Sequence, residues 1–473
     1  MFIFKWRRVL LFLGDALIFY VSLAAALMAR RFSLPALDFF LEHVLVFSLY
    51  LPVWAGIFYI VGFYDLRRIN KLVDLINNTL LAFALNMIAA VIFFYISAIW
   101  FGIMPKTHLL LTMLFFHAFA IFWRRIWIRV FLSKVLTQRV AFLGTNALIE
   151  EIKRDLTKNP HLGFSVVPMP ELKGQRGDAE SHWMPRGARG AELSSLVDML
   201  VVDSEDAGRN PLRESLALST AVLEEIPVIT HLDFYEDLYG KVPPEHAAQP
   251  GWLFSNVLHK RNSFYILVKR GGDAAAAALG LLLLSPFFAV AYLALKCCDG
   301  WGKPAFFIQK RVGYLGRKFI IWKFRTMVQG ADKAGPLYQA AAGDSRITGI
   351  GRLLRGTRFD ELPQLWNVLK GDMSLVGPRP EWIREVHILE RSIRHYHLRH
   401  LVKPGMTGWA QINFRATASQ QDSIEKLHYD LYYVKNLTLA LDIGILLRTF
   451  RRIFQKDDSF GSAKPPVLIP DKV

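Results

Sequence analysis

The chain has 473 residues, 53% of them hydrophobic, and a mean hydropathy of +0.26. Lys and Arg number 57 against 40 Asp and Glu, a formal net charge of +17. These figures exclude a disordered or wholly soluble chain, and the two adjacent cysteines, Cys297 and Cys298, exclude a disulfide scaffold or structural zinc domain and fit a reducing compartment. Four apolar runs occupy the first third, at 9–29, 41–62, 80–103 and 109–128. Each approaches the roughly 20 residues a helix needs to cross a hydrocarbon core. No small-residue cleavage site follows the first run and further runs come after it, so it reads as a membrane helix and not as a cleaved leader. Lys5, Arg7 and Arg8 precede the first run, Arg67, Arg68 and Lys71 separate the second from the third, and Arg124, Arg125, Arg129, Lys134 and Arg139 gather at and beyond the end of the fourth. The other loops carry only Arg30, Arg31 and Lys106. The positive-inside rule then predicts a cytoplasmic N-terminus and a cytoplasmic chain after the fourth helix.

The middle reads as an α/β unit. Residues 139–145 form an apolar strand ending in a glycine turn at Gly144, and 147–158 follow as a polar helix. A second apolar run at 197–203, a helix at 212–225 and a short run at 227–229 continue the alternation, which predicts a parallel, doubly wound sheet. Gly144 invites a dinucleotide reading, but G-x-G-x-x-G is missing, and a structural or regulatory role for the unit is the better account. The stretch 174–190, rich in Gly, Arg and polar residues, reads as a loop.

A fifth apolar run spans 274–298. Lys269 and Arg270 precede it, and Lys296, Lys303, Lys310 and Arg311 follow, so both ends favour the cytoplasmic face. Ser285 and Pro286 lie near its middle, where proline removes a backbone hydrogen bond and bends a helix. A helix that enters, breaks at Ser285-Pro286 and returns to the same face satisfies both features; an ordinary fifth span would place the remainder outside.

Beyond residue 306, basic and polar motifs are dense: Gln309, Arg311 and Gly313; Lys323, Arg325 and Thr326; Gly351, Arg352 and Arg355; Arg358, Asp360, Glu361, Pro363, Gln364 and Asn367; Gly377, Pro378, Arg379, Pro380 and Glu381; and Lys403, Pro404, Gly405, Thr407 and Gly408. Guanidinium forks suit phosphate oxygens. A carboxylate pair among them can attack phosphorus or hold a divalent cation, and Mg²⁺ takes oxygen ligands together with substrate phosphates. Adjacent helical residues point about 100° apart, so Asp360 and Glu361 divide the work: one toward phosphorus, the other toward a metal. Segments 382–401 and 443–454 are basic and partly amphipathic, reading either as membrane-surface helices or as helices packed on a core. His395, His397 and His428 lack metal-ligand spacing, and the tyrosines from Tyr429 to Tyr433 are core or nucleotide-facing.

On these motifs, residues 269–449 resemble the bacterial sugar transferases, the monotopic polyprenyl-phosphate hexose-1-phosphate transferases, in their long form with four N-terminal membrane helices and an α/β domain. The resemblance implies transfer of a sugar-1-phosphate from a UDP-sugar to undecaprenyl phosphate with release of UMP, at the cytoplasmic face of a bacterial inner membrane, for exopolysaccharide or O-antigen initiation. It also implies a covalent phosphosugar on Asp360, Mg²⁺ on Glu361, substrate phosphate at Pro378, Arg379 and Pro380, and a membrane-inserted helix broken at Ser285-Pro286. Arg325, Arg358 and Lys323 join Arg379 as expected phosphate contacts. Two departures stand out: residues 299–304 form a longer turn than is common in the family, and Phe359 replaces the usual Leu, a change expected only to repack the helix.

The expected organisation is thus a four-helix transmembrane region (1–135), a Rossmann-like α/β domain (136–250), a linker (251–268), a re-entrant membrane helix (269–298) and a mostly α catalytic domain (299–473). The expected partners are the UDP-sugar, undecaprenyl phosphate and membrane lipid, with no nucleic acid, since only net charge speaks for it; a homodimer through the α/β domain is also expected. The competing function is a membrane scaffold or sensor whose α/β domain binds a nucleotide or protein partner. The identity of the sugar is not encoded in motif spacing.

Overall fold

The computed structural model describes residues 5–31, 36–64, 72–101, 106–132, 137–169, 193–203, 218–219, 221–242, 263–331, 346–414 and 419–454. Arg67, Arg68, Lys71, the stretch 174–190, most of the helix expected at 212–225 and most of the linker lie outside the described residues, as do the side chains of Lys5, Arg7, Arg8, Arg129 and Lys134. The chain divides into two compact units, one up to Tyr239 and one from Gly240 onward.

The first unit opens with four long helices, α1 (Lys5–Arg31), α2 (Leu37–Val61), α3 (Leu72–Phe101) and α4 (Lys106–Leu132). Each contains a window of 20 to 25 residues apolar and long enough to cross a membrane. Trp54, Phe58, Phe19 and Phe116 interlock at the bundle centre. Two charges lie fully buried within it: Arg124 meets both carboxylate oxygens of Asp15, at 2.5 and 2.7 Å. Neither charge is tolerable alone in an apolar interior, and each satisfies the other.

Beyond the bundle, β1 (Gln138–Leu143), α5 (Ala147–Lys158), β2 (Phe164–Val166), the one-turn helix α6 (Leu193–Leu196), β3 (Met199–Val202), β4 (Val228–Thr230) and α7 (His231–Tyr239) follow. The strands form an all-parallel sheet in the order β2-β1-β3-β4. Gly144 has φ +113°, and a Cβ there would overlap Asp203, so packing demands this glycine. Asn146 caps α5 by accepting from the Ile149 amide and donates to Asp203. The short β2 was not anticipated from the sequence.

The second unit begins with α8 (Ser263–Leu283) and α9 (Ser285–Asp299), which form one apolar pair bent by 59°. The bend falls at Leu284–Ser285, where Ser285 Oγ turns back to the Leu282 carbonyl and Pro286 lies in the first turn of the second helix. An antiparallel hairpin follows, β5 (Phe306–Val312) with β6 (Lys318–Phe324), placing Phe307 opposite Lys323. Then come α10 (Gly349–Gly356), the 3₁₀ turn Phe359–Glu361, α11 (Gln364–Lys370), β7 (Ser374–Val376), α12 (Ile383–Ser392), β8 (Gly405–Thr407), α13 (Trp409–Asn413), α14 (Gln420–Lys435) and α15 (Leu439–Phe454).

Segment 382–401 packs on the domain core: α12 buries Val386, and the 3₁₀ segment Tyr396–Leu401 buries Tyr396 and Leu398 in one cluster with Leu427 and Leu431. In α15, Leu441 and Ile445 pack beneath Tyr433. Tyr433 donates to the Val376 carbonyl and to Asp442, and Tyr432 stacks on Trp409, so these tyrosines are core.

Candidate active site

Three elements converge on the dyad. Arg358 takes the left-handed conformation, φ 57°, and starts the tight turn that carries Asp360 and Glu361. Successive side chains on a 3₁₀ turn stand about 120° apart, so the two carboxylates separate. Pro363 then leads into α11. Asn367 fastens that helix to β6, accepting from the Trp322 amide and donating to the Ile320 carbonyl. This places Glu361 against Lys323, with Oε1 2.9 Å from Nζ.

Helix α8 supports the same element from behind. Arg270 on α8 donates to the last carbonyls of α11, those of Val368 and Leu369, and Asp273 accepts from Ser374 Oγ. Past the break, Phe287 meets Phe359 edge-on at 4.8 Å between ring centres. Phe359, expected to repack a helix, lies half-exposed against Phe287 of α9, one residue before Asp360.

The third element is the strap Gly377–Pro380. Strands β7 and β8 pair in parallel so closely that a Cβ on Gly377 or Gly405 would overlap the opposite backbone. The next three carbonyls are each held: Pro378 by the Gly405 amide, Arg379 by the Arg399 guanidinium, and Pro380 by that of Arg311. Arg399 is itself clamped by Asp430, at 3.0 and 2.7 Å, and by the Tyr396 hydroxyl. The next residue, Glu381, pairs with Lys426. The strap thus delivers the Arg379 fork to Glu361, with NH2 2.5 Å from Oε1 and NH1 3.4 Å from Oε2.

The dyad is consequently asymmetric. Burial alone would raise the Glu361 carboxyl, but the adjacent Arg379 and Lys323 charges outweigh it and hold Glu361 well below the usual carboxylate range. Asp360 is half-buried, and burial together with the neighbouring Glu361 charge pushes its pKa up, against the opposing pull of Lys323, Arg355 and Arg379.

Of the four basic residues expected at phosphate, Lys323 and Arg379 meet the dyad. Arg325 is buried and donates to the Pro304 carbonyl, and Arg358 carries an exposed side chain. Arg355, not expected among them, ends α10 with Nε 3.0 Å from Thr326 Oγ1 and acts electrostatically on Asp360. The signal was available: Arg355 lies five residues before Asp360 in the same motif run. Among the described residues, no three His, Cys, Asp or Glu side chains group to hold a metal ion. Glu361 is an ionised hard-oxygen donor, the kind of single ligand that can share Mg²⁺ with substrate phosphate and water.

The class so defined is a membrane protein in which an acid stands beside a fixed pair of cations suited to a phosphorylated ligand. Comparison with known proteins agrees. The family model for "Bacterial sugar transferase" matches residues 264–456. The chain is 40% identical over 238 residues to a UDP-N-acetylgalactosamine-undecaprenyl-phosphate N-acetylgalactosaminephosphotransferase of Aeromonas hydrophila, covering 50% of this chain and 54% of that protein. It is 30% identical over 356 residues to a UDP-glucose:undecaprenyl-phosphate glucose-1-phosphate transferase of Xanthomonas campestris pv. campestris, covering 70% and 71%. A protein of the same description from Escherichia coli (strain K12) is 42% identical over 319 residues, 66% of each chain. The chain belongs to the bacterial sugar transferase family.

Proposed function

We propose that this protein moves a sugar-1-phosphate from a UDP-sugar to undecaprenyl phosphate through an ester on Asp360, releasing UMP, to initiate a surface polysaccharide. The observation that carries this reading is the asymmetric dyad: Glu361 is clamped by Lys323 and Arg379, while Asp360 beside it makes no such ion pair among the described residues. The relatives' names supply the substrate class. Phosphoryl transfer depends on in-line placement and on offsetting charge more than on proton chemistry. An Asp360 oxygen attacks the sugar-bearing β-phosphorus, the bond from that phosphorus to the bridging oxygen breaks, and UMP leaves with the electron pair. An undecaprenyl phosphate oxygen then attacks the same phosphorus, the acyl phosphate bond breaks, and the Asp360 carboxylate returns. Two steps replace one three-body encounter. Arg379 and Lys323 hold the diphosphate oxygens, and Arg355 offsets charge at Asp360. Mg²⁺ held on Glu361 would supply further positive charge to the diphosphate.

In this reading the bent pair α8–α9 is a re-entrant helix, supported by the 59° bend and by Lys269, Arg270, Lys296 and Lys303 at its two ends. The catalytic unit then lies at the cytoplasmic face of the inner membrane. The parallel order β2-β1-β3-β4 supports a Rossmann-like class for the α/β domain. The test is mass spectrometry of acid-quenched protein given a panel of UDP-sugars without acceptor: one of them should leave a hexose-phosphate adduct on Asp360, and no adduct with any would refute the covalent route.

A pH dependence follows. Asp360 attacks only when ionised, and its pKa is raised from its ordinary value, so the first half-reaction should fall away as pH drops through that raised pKa. Glu361→Gln removes a neighbouring negative charge that contributes to this shift, so the acid limb of the residual UMP-release profile should move to lower pH. An unmoved or upward-shifted limb would contradict the assignment.

A further inference from the structure

We infer that Glu361 occupies the seat of the substrate's diphosphate: Lys323 and Arg379 are the phosphate-binding pair, and Glu361 is the resident anion that the diphosphate must displace. The inference rests on the proposed function and deepens it.

Three observations carry it. First, Glu361 Oε1 receives both Lys323, at 2.9 Å, and Arg379, at 2.5 Å, while Oε2 receives the second Arg379 nitrogen at 3.4 Å. One carboxylate thus bridges two cations from separate elements, as a phosphate group does. Second, the backbone under each cation is fixed independently of Glu361. Lys323 sits in the β5–β6 ladder, and Arg379 in the strap held by Gly405, Arg399 and Arg311. The cations therefore remain in place when the carboxylate leaves. Third, the anchor of Glu361 is local: a three-residue turn opened by Arg358 in a left-handed conformation. A side-chain rotation frees it without disturbing α11, which Asn367 and Arg270 hold separately. Competition between the resident carboxylate and the incoming diphosphate keeps the two cations compensated whichever anion is bound. It also weakens binding of the nucleotide product, which aids its release.

The experiment measures UDP binding calorimetrically to the full chain in nanodiscs, with EDTA present, for wild type, Glu361→Gln and Glu361→Asp. Removing the competitor should tighten UDP by about tenfold in Glu361→Gln, the equivalent of one charged hydrogen bond. Glu361→Asp keeps the charge but shortens the arm, so it should tighten UDP in the same direction by less; it decides the matter if the Gln variant does not fold. Unchanged or weaker UDP binding in the folded variants, or no binding to any of the three proteins, overturns the inference. A second arm titrates a short-chain isoprenyl phosphate under the same conditions: tightening there but not with UDP would assign the cation pair to the lipid phosphate and overturn the diphosphate assignment. None of these titrations requires turnover. An absent Asp360 adduct would refute the covalent reading while leaving the binding result intact.

Discussion

Replacing Asp360 by Asn is expected to lower UMP release by at least about 10⁴-fold, on the scale seen when an enzyme loses its covalent nucleophile. The amide is nearly isosteric, so the 3₁₀ turn keeps its shape, but its oxygen is a poor nucleophile toward phosphorus. Glu361 cannot take over, because on the 3₁₀ turn its side chain points about a third of a turn away from that of Asp360. Loss of folding would not account for the effect. Burial already disfavours the Asp360 charge, so the neutral side chain should leave thermal unfolding unchanged or slightly raised. Activity within tenfold of wild type would exclude Asp360 as the nucleophile.

Arg399→Met is expected to cost about 3–5 kcal/mol of stability, the usual penalty for breaking a buried ion pair from one side. Asp430 is 1% exposed and receives two nitrogens of Arg399, so the variant strands a carboxylate in the core. The same change frees the Arg379 carbonyl, and the strap should then hold its guanidinium less firmly. UDP affinity should therefore fall even at a temperature where the variant is folded. Arg399→Lys keeps the charge but loses the fork, and it should recover part of the stability while leaving UDP affinity reduced. Chemical unfolding in detergent and calorimetry with UDP separate the two effects; unfolding at the wild-type denaturant concentration would contradict the role given to the pair.

Features governed by local pattern were legible in the sequence. The four long apolar helices follow from uninterrupted runs, and β1 and α5 follow from an apolar strand, a glycine turn and a polar helical stretch. The carboxylate pair and the Pro-Arg-Pro strap were visible because their residue types are unusual at such density. Features that depend on distant pairing were not. Arg399 and Asp430 lie 31 residues apart, and nothing in either neighbourhood announces the partner. Lys323 and Arg325 appear equivalent two positions apart, yet β6 ends at Phe324, and beyond it the chain turns Arg325 inward to Pro304. The three-residue β2 is too short to display a period, and Phe359 takes its role from a helix some 70 residues earlier. Long-range register, set by packing, decides these cases.

The strap from Gly377 to Pro380 has one further consequence. Fixing a backbone residue costs roughly 1–2 kcal/mol of conformational entropy, and here that loss is incurred during folding, by the β7–β8 pairing and three carbonyl contacts. A ligand arriving at Arg379 meets a rigid template and needs to order only side chains. Its association should accordingly show little of the large unfavourable entropy that accompanies closure of a loose anion-binding loop.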